Sequence, residues 1–112
     1  MDTAERRDGL HLRLSEVTVC AVPEDSVNHH LYAVTVAWRG GEDYAVIWFK
    51  RALGRDGEWD WEPIPSERED SWLREHRFDY WEALRRACEV APTIVVNGRI
   101  ASEIAREGEP DE

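Results

Sequence analysis

Hydrophobic positions crowd into two runs, residues 30–39 and 43–51, both rich in Val, Tyr, Trp and Phe and separated by Gly40-Gly41. Branched and aromatic residues around a tight-turn dipeptide predict a β-hairpin, and helix anywhere between Leu31 and Phe49 would contradict it. With a two-residue turn, Val36 faces Ala45, Val34 faces Ile47 and Tyr32 faces Phe49. One face then carries Tyr32, Val34, Val36, Trp38, Ala45, Ile47 and Phe49 and is the expected core face, with Trp38 and Ile47 buried. The other carries Leu31, Ala33, Thr35, Ala37, Tyr44, Val46 and Trp48 and also needs a cover. A three-residue loop would reassign both sets.

Upstream, Leu10, Leu12 and Leu14 alternate with polar residues, and Val17, Val19 and Ala21 alternate in the opposite parity. One long strand with a bulge at Ser15-Glu16 accommodates both. Downstream, residues 52–57 read as a loop, and residues 58–62 alternate acid with indole as a short edge strand closed by Pro63 and Pro65. Side chains two apart on a strand share a side, so Trp59 and Trp61 are expected inward and Glu58, Asp60 and Glu62 outward.

Ser66 with Glu69, and Asp79 with Glu82, each match a capping box. Two short helices meeting near Arg77 are expected, with one continuous helix as the alternative. Trp81, Leu84, Cys88 and Ala91 form the stripe expected to lie on the sheet before Pro92 ends the helix. Residues 93–96 read as a strand and Asn97-Gly98 as a turn, and residues 99–106 fit either a returning strand or a helical turn. The fold class is α+β: an antiparallel β-meander of three to four strands plus a C-terminal strand, packed against one or two helices. A single domain over residues 1–112 is expected, with flexible ends at about 1–8 and 107–112.

Composition narrows the function. The chain has 112 residues, six Trp and 42% hydrophobic content, enough to form one core and too much for a disordered segment. Fourteen basic against 24 acidic residues give a net charge of −10. Residues 58–112 hold 15 of those acids against seven bases, so the field repels phosphate backbones and anionic membrane surfaces. Neither direct nucleic-acid nor membrane binding is expected. With no apolar core near Met1 and no apolar run longer than residues 44–49, the expected location is cytoplasmic.

Cys20 and Cys88 are the only cysteines and make neither a disulfide framework nor a thiolate zinc site. His29 and His30 point apart in an extended chain, and the histidines read as exposed imidazoles rather than metal ligands. No phosphate-binding loop, Gly-x-Ser-x-Gly or His-Glu-x-x-His is present, so no cofactor is expected and the balance leans away from an enzyme. The stretch Ala91-Pro92-Thr93-Ile94-Val95-Val96-Asn97-Gly98 resembles the segment around the cis-proline of thioredoxin-like folds. The redox cysteine pair and the βαβ unit of that fold are missing, so neither fold nor activity carries over.

Three functions follow as expectations. The first is a protein-interaction module, an adaptor or an inhibitor of a basic partner, presenting Glu58, Asp60, Glu62, Glu67 and Asp70 around a proline-stiffened turn. The second is a small-molecule binder or enzyme with an aromatic pocket between sheet and helices, bearing Arg68, His76 and Arg77. The third is a structural homo-oligomer sealed through the second apolar face of the hairpin.

Overall fold

The computed structural model describes residues 4–7, 10–13 and 15–107. Strands β1 (Ala4–Arg7) and β2 (Leu10–Arg13) form an antiparallel pair of their own. A five-stranded antiparallel meander follows, built from β3 (Glu16–Val19), β4 (Val34–Trp38), β5 (Tyr44–Trp48), β6 (Arg51–Leu53) and β7 (Trp59–Trp61), in that spatial order. Helices α1 (Asp70–His76) and α2 (Tyr80–Val90) come next, then a hairpin of β8 (Val95–Val96) and β9 (Arg99–Ile100), and finally α3 (Ala101–Glu107). This is the expected α+β meander packed on helices. No helix is long and apolar enough to cross a membrane. The ends expected to be flexible lie mostly outside the described residues; within the first, residues 4–7 form β1.

The expected long N-terminal strand is divided: β2 pairs with β1, and β3 with β4. At Ser15-Glu16, the expected place of the bulge, the register is regular: the Trp38 amide donates to the Ser15 carbonyl and Glu16 pairs with Ala37. The hairpin stands, but its register differs from the expected one. Thr35 faces Ile47, Val36 faces Val46, Ala37 faces Ala45 and Trp38 faces Tyr44. The Arg39 amide donates to the Asp43 carbonyl, leaving Gly40, Gly41 and Glu42 as a three-residue loop, with φ of 108° and 54° at the two glycines. The extra loop residue moves every β5 side chain to the opposite face. Val34, Val36, Tyr44 and Val46 are therefore buried together and Ile47 is only half-buried; Trp38 shares their side but is exposed at the end of β4. The expectation of no helix between Leu31 and Phe49 fails at its edge: His29–Tyr32 form a 3₁₀ helix that takes in Leu31 and Tyr32, so the strand starts later, at Val34.

Residues expected as a loop contain β6, whose Ala52 and Leu53 are buried. Phe49 takes φ of 56° in the two-residue turn that pairs Trp48 with Arg51. Without Gly, Asn or Asp in that turn, sequence gives no hairpin signal there.

Helix α2 lies over the face bearing Val34, Val36, Tyr44 and Val46. Its buried stripe is Tyr80, Ala83 and Ala87, continued by Ala91, so the expected stripe is rotated: Trp81 and Cys88 are exposed and Leu84 half-buried. Alanine brings the helix backbone close to the sheet, and the Tyr44 and Tyr80 rings meet edge-on at 5.2 Å. The Asp79 carboxylate caps the Glu82 amide at 2.8 Å, as its capping box predicts. Ser66 does not cap: residues Pro65–Glu67 form a 3₁₀ turn, and α1 begins at Asp70 after the extended Arg68 and Glu69. Asn97 and Gly98, at φ of 51° and 78°, turn β8 into β9, and α3 follows at once, so residues 99–106 are strand and then helix.

Candidate functional site

Strand β7 ends the sheet, paired only with β6. The Gly54 amide donates to the Glu58 carbonyl and the Glu62 amide to the Lys50 carbonyl. By alternation, the amides and carbonyls of Trp59 and Trp61 point away from the sheet. Among the described residues, no backbone hydrogen bond is made on that outer side. Trp59 and Trp61 share the α2 side of the sheet with Leu53, whereas Asp60 and Glu62 take the other side.

On that second side the acids meet cations. Glu62 accepts two hydrogen bonds from Arg39 at 2.9 and 3.1 Å and one from Arg77 at 2.8 Å, with Arg68 at 3.6 Å. Its side chain is 11% exposed and that of Arg77 is 6% exposed. Burial pushes the Glu62 carboxyl up, but the Arg39 hydrogen bonds and the charges of Arg39, Arg77 and Arg68 outweigh it and hold the group below its ordinary value. Burial likewise pushes the Arg77 guanidinium down, against the opposing pull of Glu62. Beside this cluster, buried His76 makes a 2.7 Å contact from Nε2 to Asp60 Oδ2 and a 2.8 Å contact from Nδ1 to the Trp72 carbonyl, with its ring stacked on Trp72 at 4.1 Å. Both ring nitrogens are engaged within the protein. Gly54 lies against this pair, and a Cβ there would sit 2.7 Å from Asp56 Oδ1.

The aromatic surface lies elsewhere. Trp48, Phe49, Lys50, Arg51, Trp61 and Val95, with Val96, line a mainly apolar cleft of about 370 Å³. Trp61 is 65% exposed, Phe49 61% and Val95 51%, an unusual concentration of bare apolar surface on a small domain. The Arg51 guanidinium lies 5.3 Å from the Trp61 ring centre and 6.0 Å from that of Trp48. Trp48 is fixed from behind by donating its indole N–H to the Leu31 carbonyl at 3.0 Å. A bulky residue at positive φ is a backbone outlier that persists only where the surroundings enforce it. Here it presents an exposed Phe ring, packed edge-on against Trp48 at 5.4 Å.

The residues expected to bind a partner and those expected to line a pocket thus meet each other. Glu62 joins Arg68 and Arg77, and Asp60 joins His76. Glu62 is not outward, and His76 is not an exposed imidazole. Asp60 keeps half of its side chain in solvent, and Glu58, Glu67 and Asp70 are exposed, the last two beyond the turn at Pro63 rather than in one patch with Glu58. Arg68, His76 and Arg77 do not line the aromatic cleft. Sequence reasoning placed Trp61 inward, and it missed Phe49 and Arg39, whose roles depend on the two turns. Among the described residues, no group of His, Cys, Asp and Glu is arranged to hold a metal. Comparison with protein-family models, with curated proteins and with solved structures finds no match to this chain.

Proposed function

We propose that the chain is a non-catalytic protein-interaction module that docks a basic partner at the β7 end of its sheet. The observation that carries this reading is Phe49, held at φ of 56° with 61% of its surface bare, in a cleft shared with Trp48, Trp61 and Val95 beside an unpaired strand edge. Aromatic anchors in a concave patch are the usual energetic centre of an interface. Glu58 and the free half of Asp60 supply acidic contacts on the other side of the edge from the cleft, and the net charge of −10 attracts a cationic partner to the molecule.

Selection of random peptides of about twelve residues displayed on phage tests this, with wild-type protein as bait and the double variant Phe49→Asp, Trp61→Ala as counter-bait. Enrichment on wild type that the double variant abolishes, while its circular dichroism spectrum is retained, is the expected result. Equal enrichment on both proteins, or none on either, overturns the reading. The cleft volume also falls in the range of small-ligand sites, so a planar anionic compound beneath Lys50 and Arg51 is the second reading. A thermal-shift screen with aromatic carboxylates separates the two.

A further inference from the structure

We propose that β7 accepts an extended segment of the partner as a sixth, antiparallel strand, with apolar side chains on the cleft side and Lys or Arg on the opposite side. This deepens the interaction-module reading and rests on it.

Three observations converge. First, the amides and carbonyls of Trp59 and Trp61 face outward, and no described residue bonds them there, which is the template that strand addition uses. Second, the two sides of that edge differ in chemistry. The Trp59 and Trp61 side opens onto the apolar cleft and is bordered by Lys50 and Arg51. The other side carries Glu58 and the half-exposed Asp60. A basic residue on the cleft side meets Lys50 and Arg51, whereas at the Glu58 end of the other side it meets Glu58 and the free half of Asp60, ahead of the Arg39, Arg68 and Arg77 cluster around Glu62. Charge therefore selects a segment that alternates apolar with basic and fixes which set faces which way.

Third, the chain cannot use this edge well on itself. With Trp59 against Trp61, Asp60 lies opposite Asp60, and with Trp59 against Trp59, Glu58 lies opposite Asp60 twice, whereas Glu62 is already held by Arg39, Arg68 and Arg77. Like charges directly opposite disfavour such pairs. These oppositions favour a different protein as the occupant, one that sets bases rather than acids against Glu58 and Asp60.

Antiparallel pairing makes the test specific. The partner residues opposite Trp59 and Trp61 exchange both backbone hydrogen bonds with them and lie on the same side of the sheet, so they are the apolar ones. The probe is a fluorescein-labelled peptide, Lys-Ile-Arg-Phe-Lys-Val-Arg, read by anisotropy. N-methylation of the amides of its apolar residues is expected to weaken binding at least about tenfold, and N-methylation of the amides of its basic residues to leave it within about twofold. Glu58→Lys is expected to weaken the unmethylated peptide about fivefold with an unchanged melting temperature. Absence of binding by the unmethylated peptide at about 100 μM, or any other pattern between the two methylated peptides, overturns strand addition. The phage selection makes no demand on peptide conformation. If it yields cleft-dependent binders while the methylated peptides fail this pattern, strand addition falls and the module stands; if it yields none, the module itself falls.

Discussion

Glu62 places one carboxylate among the guanidiniums of Arg39, Arg68 and Arg77, nearly out of solvent. Removing its charge leaves Arg77 buried without a counter-ion, so Glu62→Gln is expected to cost on the order of 3 kcal/mol, a fall in melting temperature of more than about 10 °C by calorimetry. The pH dependence has a definite sign. The folded carboxyl is held below its ordinary value, so its contribution is complete above the unfolded value of about 4.3 and is lost as pH falls through the lower folded value. The gap between wild type and Glu62→Gln should therefore be widest above about pH 5 and narrow at lower pH, as read from urea midpoints. Phe49 is a contrasting case. A left-handed conformation costs a non-glycine residue about 1–2 kcal/mol, while its edge-on contact with Trp48 returns about 1 kcal/mol. Phe49→Gly should therefore leave the melting temperature within a few degrees of wild type, or raise it, while abolishing cleft-dependent peptide binding. The two cysteines, both free, also separate. Exposed Cys88 should react with a thiol reagent in the native protein, whereas Cys20, whose thiol is pushed up by burial against a lowering backbone hydrogen bond at Val22, should react in full only after unfolding.

At the scale of elements, two matching sequence patterns have different outcomes. Asp79 and Glu82 form a cap at the start of α2, whereas Ser66 and Glu69 precede a 3₁₀ turn and leave α1 uncapped by a side chain. Asp79→Ala should cost about 1 kcal/mol, and Ser66→Ala should leave the urea midpoint unchanged. The difference arises because Phe78 exchanges backbone hydrogen bonds with Tyr44, which fixes where α2 must begin, while Pro65 and the Arg68 bond to the Pro63 carbonyl hold residues 63–68 in a different path. The same tension governs what was legible in the sequence. Period-two runs around Gly40-Gly41, the indole alternation at residues 59–61 and the Asn97-Gly98 turn are local signals, and their elements formed where expected. Register is not legible, because glycine permits a two- or three-residue loop equally, and one extra residue moves Ile47 off the core face and Val46 onto it. Strand β6 was hidden because its turn uses Phe49 and Lys50, residues that advertise no turn. The acidic edge is a strand as expected, yet Glu62 is taken up by Arg39, Arg68 and Arg77 and half of Asp60 by His76, partners that only tertiary structure supplies, which leaves Glu58 exposed.

For the whole molecule, the charge of −10 is not spread evenly over what a partner meets. Glu62 is enclosed by arginines, the cleft rim is basic, and Glu58 with Asp60 marks one side of an otherwise open edge. That open edge exists beside exposed Trp61 and Phe49, a combination that invites edge-to-edge association unless something opposes it. The opposing element is the row of acids, which makes Glu58→Lys a test of the whole arrangement. In the register that sets Trp59 against Trp59, the substitution turns two Glu–Asp oppositions into two Lys–Asp pairs. Each such change is worth up to about 1 kcal/mol, together roughly ten- to thirtyfold in the association constant. Wild-type protein should sediment as a 13.0 kDa monomer, and the variant should shift toward a dimer as its concentration rises toward the millimolar range. The same substitution is expected to weaken the basic peptide, so one residue moves the two equilibria in opposite directions, which a general loss of folding would not do. A wild type that dimerises as strongly as the variant would show that carboxylates do not guard this edge.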